Sequence, residues 1–330
     1  MSYELKSIFK DEINLHLILR KKELSSEAYR HYKRTVMLFD DYLYSISLLE
    51  KSIDESVIDD WIKKISDGIS INTVGGHIHY IRQLLLFLRD NGYYCFIPKT
   101  IVAKDIYVPY LYTDQDIENI FKIADSFTAP RAVKNKYIAY EMPLLLRLLY
   151  CCGLRVGETI SIKIGDIDFE RKLFILRVTK KYKQRLVPFG ADLSEILHLY
   201  CAAMGILNNS EAYLFPEKDI YTHISANSVR NYYRIIRKKA GINDSRVNKN
   251  DRGACLHCFR HTFAVRSFNI NERRGVSSRE SVPFLSTYLG HDSLYETEKY
   301  LKYSGDYFED TLTKFESFVG DLFPEVNFNE

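Results

Sequence analysis

Tyr288-Leu289-Gly290-His291-Asp292-Ser293-Leu294-Tyr295-Glu296-Thr297-Glu298-Lys299-Tyr300 carries the most telling spacing in this chain of 330 residues. Ser293-x-x-Glu296 has the form of a capping box, which predicts a helix start there, with His291 just ahead of it and Tyr300 two turns in. Taken alone, a tyrosine so placed reads as a core residue. With 25 tyrosines in the chain, composition gives no reason to prefer this one. Three other segments do.

Leu256-His257-Cys258-Phe259-Arg260-His261-Thr262, read as a helix, puts His257, Arg260 and His261 at i, i+3 and i+4 on one side. No acid lies within a helical turn of them, so an external oxyanion is a natural partner. The blander reading is a core histidine beside a surface arginine. Zinc competes through Cys255, His257, Cys258 and His261, but these four crowd into seven residues. Structural zinc sites usually draw their ligand pairs from separate segments.

Upstream, Gly153-Leu154-Arg155-Val156-Gly157-Glu158 follows the apolar run 144–149. An arginine wedged there must meet an anion, either Glu158 three residues on or a phosphate gripped by the planar fork. Thr179-Lys180-Lys181-Tyr182-Lys183-Gln184-Arg185 is a basic turn between two strand-like runs. It reads as a solvated turn, or as a tip that brings an ammonium to a phosphodiester and protonates a leaving alkoxide.

Around these segments the periodicity sets the frame. Residues 1–105 read as helices, with apolar faces at 14–19, at Tyr29, Tyr32, Val36 and Phe39, and at Ile78, Ile81, Leu85 and Leu88. Asn91-Gly92 is a stop signal. A linker is expected at 106–112, and Thr113-x-x-Asp116 opens a second domain, 113–330, with a capping box. That domain reads as a helix at 142–152, strands at 174–178 and 186–189, and helices at 228–240, 258–268 and around Tyr300. The fold class is α+β, mainly α with a small antiparallel sheet.

Charge is uneven. Lys and Arg number 46 against 43 Asp and Glu, a net +3, yet residues 179–260 hold 14 basic and 7 acidic side chains. The tail 306–330 holds 7 acids and one lysine. Hydrophobic residues at 46% exclude wholesale disorder. The N-terminus lacks the apolar core of a signal peptide. The greasiest stretch, 142–154, is broken by Arg147 and falls short of the ~20 residues that a membrane span needs. Cys95, Cys151, Cys152, Cys201, Cys255 and Cys258 are too sparse for a disulfide framework and read as reduced thiols of a cytoplasmic protein.

Together the four segments resemble the tyrosine recombinases of the phage-integrase family, over residues 110–305. Gly153-Leu154-Arg155-x-Gly157-Glu158 is similar to the first arginine box, Lys180 to the hairpin lysine, His257 and Arg260 to the H-x-x-R box, and Leu289-Gly290-His291 to the L-G-H box. Tyr300, nine residues after His291, stands where the nucleophile is expected. The helices of 1–105 look like the family's core-binding domain, which clamps the opposite side of the DNA.

The resemblance implies that Arg155, Arg260, His257 and His291 hold the non-bridging oxygens of a phosphodiester. Tyr300 would attack the phosphorus, with His257 as base and Lys180 protonating the departing 5′ oxygen. Lys181 stands as a substitute for Lys180, since this turn lacks the family's usual glycines. Glu158 would orient Arg155. The 3′-phosphotyrosyl link conserves the bond energy, so no cofactor, metal or ATP is implied. The implied partners are double-stranded recombination sites, three further protomers in a tetramer on two duplexes, and an accessory directionality factor, with the protein on the nucleoid when DNA-bound. Lys181, Lys183, Arg185, Arg230, Arg234 and Lys238 are the expected DNA contacts. The segment 268–282 is longer than in compact members, which leans toward a mobile-element integrase, and the acidic tail is expected to pack on an adjacent protomer. The rivals are a type IB topoisomerase-like relaxing enzyme and a DNA-binding protein without catalysis. Every expected active-site position is filled, which weighs against the last.

Overall fold

The computed structural model describes residues 4–101, 109–128, 135, 137–177, 184–242 and 253–303. The chain divides into two compact units, 1–107 and 108–330.

In the first unit, helices α1 (Lys10–Glu23), α2 (Ser26–Ser45), α3 (Glu55–Ser66) and α4 (Ile71–Asp90) surround one apolar core. Strands β1 (Ser52–Ile53) and β2 (Tyr94–Cys95) pair in parallel beside it. The expected stripe on α2 is the one that is buried: Tyr32, Val36 and Phe39 all face inward. Ser25, Asp54 and Ser70 each accept a hydrogen bond from a backbone N–H of the helix that they open, which satisfies one orphan donor of the first turn. The sequence reading singles out neither α3 nor its Trp61, which fills the core at 1% exposure. Asp40, fully buried on α2, takes the backbone N–H groups of Lys6 and Ser7 at 2.8 and 3.1 Å and so anchors the start of the chain.

The second unit opens with α5 (Asp114–Asp125), where Thr113 and Asp116 form the expected capping box. Next comes α6 (Ile138–Cys152), whose Arg147 clamps Asp125 of α5 with two hydrogen bonds of 2.7 and 2.8 Å. Short α7 (Val156–Ile160) leads to an antiparallel sheet of β3 (Ile167–Asp168), β4 (Leu173–Leu176) and β5 (Arg185–Pro188), in that order. Then follow α8 (Ala191–Ala203), α9 (Ala226–Lys239), α10 (Leu256–Arg273), α11 (Ser278–Leu289) and α12 (Leu294–Glu298). The fold is mainly α with a small antiparallel sheet. Most of its core gathers around α6, where Leu144, Leu145, Leu148 and Leu149 are buried.

The segment 268–282 is the end of α10, a tight turn at left-handed Gly275 (φ 78°), and the start of α11, whose Ser277 and Glu280 form a capping box. One local expectation is corrected. The Ser293–Glu296 capping box is absent: Ser293 is the N-cap, but its side chain makes no capping bond, and the Glu296 N–H goes to the Ser293 carbonyl. The α-helix that starts there lasts five residues, and Tyr300 lies on the 3-10 turn Lys299–Tyr303 that follows.

Gly153 ends α6 with a left-handed φ of 58°, and a Cβ there would sit 2.5 Å from the Phe263 ring. Gly153→Ala combines backbone strain with this clash, for an expected loss of about 1–3 kcal/mol. A lower urea midpoint for the transition that unfolds the second unit would show it.

Candidate active site

The left-handed turn at Gly153 aims Arg155 back across the end of α6, where Arg155 becomes the N-cap of α7. Its backbone N–H donates to Glu158 Oε2 at 2.8 Å, and its guanidinium Nη1 donates to Oε1 at 2.9 Å. The local pairing with Glu158 is therefore present, but it does not use up the guanidinium. Nη2 reaches the Gly290 carbonyl at 3.3 Å, and a third of the side chain (34%) stays open to solvent.

Arg260, on the first turns of α10, is only 1% exposed. It donates to the Gly153 carbonyl at 2.9 Å and to the Leu289 carbonyl at 2.6 Å. Arg155 Nη1 also lies 3.4 Å from that Leu289 oxygen. The two arginines, 105 residues apart in sequence, thus converge on the turn that ends α11 and leads into His291. Burial, then the charge of Arg155, lowers the Arg260 pKa to about 10, which leaves it charged at neutral pH.

Arg185, grouped with the DNA contacts from its place in the basic turn, points inward. Its side chain is 9% exposed and grips Glu158 with two hydrogen bonds of 2.9 and 2.8 Å. Strand alternation explains this: on β5, Arg185 shares a face with fully buried Val187, while Leu186 faces out. Gly290 is the counterpart, since a Cβ there would lie 2.7 Å from Arg185 Nη1 and its φ is 66°. Burial pushes the Glu158 carboxyl up, but the hydrogen bond and charge of Arg185, joined by the backbone N–H and charge of Arg155, outweigh it and hold the pKa at about 2.

His291 bonds through Nδ1 to the Thr297 hydroxyl at 2.7 Å. Burial, then the charges of Arg260, Arg155 and Arg185, drive its pKa down to about 3, so the ring is neutral. Tyr300 is 6% exposed, and its hydroxyl lies 3.0 Å from His261 Nδ1. Burial raises the Tyr300 pKa, and the charges of Arg260 and Arg155 pull it back. His257 is exposed and meets His261 edge-on, with ring centroids 4.6 Å apart.

Arg155, Arg260, His291 and Tyr300 are thus brought together, with Glu158 behind them. His257 lies one ring away from Tyr300, across His261. Lys180, Lys181 and Lys183 lie outside the described residues. Arg230, Arg234 and Lys238 form an exposed row on α9, opposite buried Val229, Tyr233 and Ile236. Short-range spacing carries no sign of His261 at the tyrosine or of Thr297 at His291. Among the described residues, no three His, Cys, Asp or Glu side chains are grouped to hold a metal ion. None of the described helices is long and apolar enough to cross a membrane.

The family model described as "Phage integrase family" matches residues 111–305, more than half the chain and all four segments. The chain belongs to the phage integrase family. A Sinorhizobium fredii protein named as an integrase/recombinase is 28% identical over 215 residues, 63% of this chain and 66% of that protein, just under two thirds of its length. Tyrosine recombinase XerC of Staphylococcus aureus is 25% identical over 301 residues, 90% of this chain and 85% of its own. Among solved structures, the XerH site-specific recombinase bound to a palindromic difH substrate, in a post-cleavage complex, matches with a TM-score of 0.66. That match covers 95% of this integrase-family chain and 91% of the other at 15% identity, a likeness of fold.

The depressed Glu158 carboxyl makes the site acid-sensitive. Its pKa falls from 4.5 to about 2 on folding, so its contribution is complete above pH 4.5 and drains away as the pH drops toward 2. The loss amounts to roughly 3 kcal/mol. Acid unfolding curves should be steeper for wild type than for Glu158→Gln across that window, and parallel curves would show that Glu158 is not the titrating group.

Proposed function

We propose that this integrase-family chain is a site-specific DNA recombinase that cuts and rejoins DNA through a 3′-phosphotyrosyl intermediate on Tyr300. The observation that carries the proposal is the Tyr300 hydroxyl, 3.0 Å from an imidazole nitrogen and in the field of two arginines that share the Leu289 carbonyl. A phosphodiester brings one negative charge and gains more in its pentacoordinate transition state. Arg155 and Arg260 supply the positive charge where it develops, and neutral His291 donates a hydrogen bond.

Tyr300 attacks the phosphorus, its proton leaves, and the 5′ oxygen departs with a proton from Lys180, or from Lys181 as the substitute. The resemblance implies His257 as the base. We assign the first acceptance of the tyrosyl proton to His261, because that ring holds the hydroxyl, with exposed His257 beside it at the mouth of the site. Attack by the 5′-hydroxyl of a second duplex reverses the step and exchanges strands. No proton or electron in this scheme requires a metal or ATP. Arg185 belongs with Glu158 as a support for Arg155. The row Arg230, Arg234 and Lys238 is proposed to face the phosphate backbone, as are Lys181 and Lys183.

The first unit is proposed to clamp the far side of the duplex, and four protomers to assemble on two duplexes, with an accessory factor setting direction. The protein would then work in the cytoplasm, on the nucleoid. The relatives named as tyrosine recombinases support this reading.

A nicked suicide duplex carrying the recombination site tests it. Wild type should form a covalent adduct in denaturing gels, with or without EDTA, and Tyr300→Phe should form none. Arg155→Ala and Arg260→Ala should each slow adduct formation by roughly 100–1,000-fold. An adduct in Tyr300→Phe would move the nucleophile elsewhere, with Tyr295 the next to test.

The base is tested separately by pH–rate profiles of adduct formation. The acid limb should disappear in His261→Ala and persist in His257→Ala. The opposite pattern would return the base to His257.

A further inference from the structure

Cys255 and Cys258 stand at the head of the helix that carries His257 and Arg260, and the recombination chemistry leaves both thiols unused. Cys255 is the N-cap of α10, with extended backbone (φ −144°, ψ 171°), and Cys258 is the third residue of the helix. The pair fills both places of a capping box with sulfur. The Cys255 N–H donates to Cys258 Sγ at 3.4 Å, and the two Sγ atoms are 3.5 Å apart. A disulfide needs about 2.05 Å, so the sulfurs have roughly 1.5 Å to close.

The backbone around them is pinned. The Ala254 carbonyl accepts from Arg237, and the Cys255 carbonyl accepts from the Tyr112 hydroxyl at 2.9 Å. Side-chain rotation makes part of the closure, and with 254 and 255 held the rest falls on the first turn of α10. Cys255 is half-buried and within reach of a small molecule, whereas Cys258 is fully buried. The interaction with Cys255, then burial, raises the Cys258 pKa, which leaves Cys255 at the helix N-terminus as the attacking sulfur.

We propose that Cys255 and Cys258 form a reversible thiol–disulfide site, oxidised by low-molecular-weight disulfides, that restrains the first turn of α10. The Cys255 thiolate attacks one sulfur of the small disulfide, forms a mixed disulfide and releases one thiol. The Cys258 sulfur then attacks Cys255 Sγ, gives up its proton and releases the second thiol. Two protein thiols are oxidised and one small disulfide is reduced to two thiols. His257 lies inside the bridge thus formed and Arg260 two residues beyond it, so the closed form shifts both relative to the Gly153 and Leu289 carbonyls that Arg260 holds. The consequence for DNA cleavage rests on the recombinase reading; the bridge itself does not.

The test treats the full chain with oxidised glutathione and maps its peptides by mass. The peptide holding Cys255 and Cys258 should lose two hydrogens and regain them in dithiothreitol, while the peptide with exposed Cys151 should gain glutathione instead. Cleavage of the suicide duplex should fall by roughly 10–100-fold on oxidation, given the sensitivity of such sites to ångström-scale misplacement. Cys255→Ser puts a good N-cap oxygen in place of the sulfur, so it should fold, form no bridge and cleave equally fast with and without the oxidant. Glutathione adducts on Cys255 without an internal bridge would overturn the proposal, as would a bridged protein that cleaves at the reduced rate. A bridge in a chain that cuts no DNA even when reduced would uphold the thiol site and overturn the recombinase reading.

Discussion

Glu158 receives Arg155 on one side and Arg185 on the other while only 6% of its side chain meets solvent, and through it the end of α6, the sheet and the turn after α11 become one assembly. Removing one partner of such a buried ionic cluster typically costs about 3–5 kcal/mol, because the charge left behind has no water to replace it. The same contact fixes orientation: with both carboxylate oxygens occupied, Arg155 keeps one face for the Leu289–Gly290 turn and one edge for solvent.

The charge count follows from this arrangement. Among the described residues, Arg155 and Arg185 share the Glu158 carboxylate, while Arg155 and Arg260 also donate to neutral carbonyls. The positive charge of these arginines acts on the titratable groups nearby. It helps keep His291 unprotonated and partly offsets the effect of burial on Tyr300. A site that is positive, with its imidazole neutral and its phenol protonated, is prepared for an incoming anion and then for the loss of one proton.

Much of this was legible from local spacing. The H-x-x-R helix, the arginine turn after Gly153 and the L-G-H turn all fall where short-range pattern puts them. The chemistry that pattern missed is long-range. His261 reaches a tyrosine 39 residues away and Arg185 a glutamate 27 residues away, separations that no helical or strand period encodes. Arg185 shows both sides of the problem. Its basic neighbours suggested a surface, whereas alternation with Val187 on β5 already pointed it inward. Tyr300 shows a further limit: five helical residues and a 3-10 turn look like a longer α-helix when only the apolar and capping signals are read. The lost capping box fits the same picture, because Thr297 and Tyr300 are held by His291 and His261 rather than by a cap at Ser293.

The burial of Tyr300 has a consequence for when the molecule can act. Tyr300 is only 6% exposed, with its hydroxyl on His261, so on the proposed reading the nucleophile is sheathed. It sits on a 3-10 turn, whose hydrogen bonds are poorer than those of an α-helix. On that reading, delivery of the phenol is an energetic step of its own ahead of the chemistry, with DNA binding supplying the work of unsheathing it.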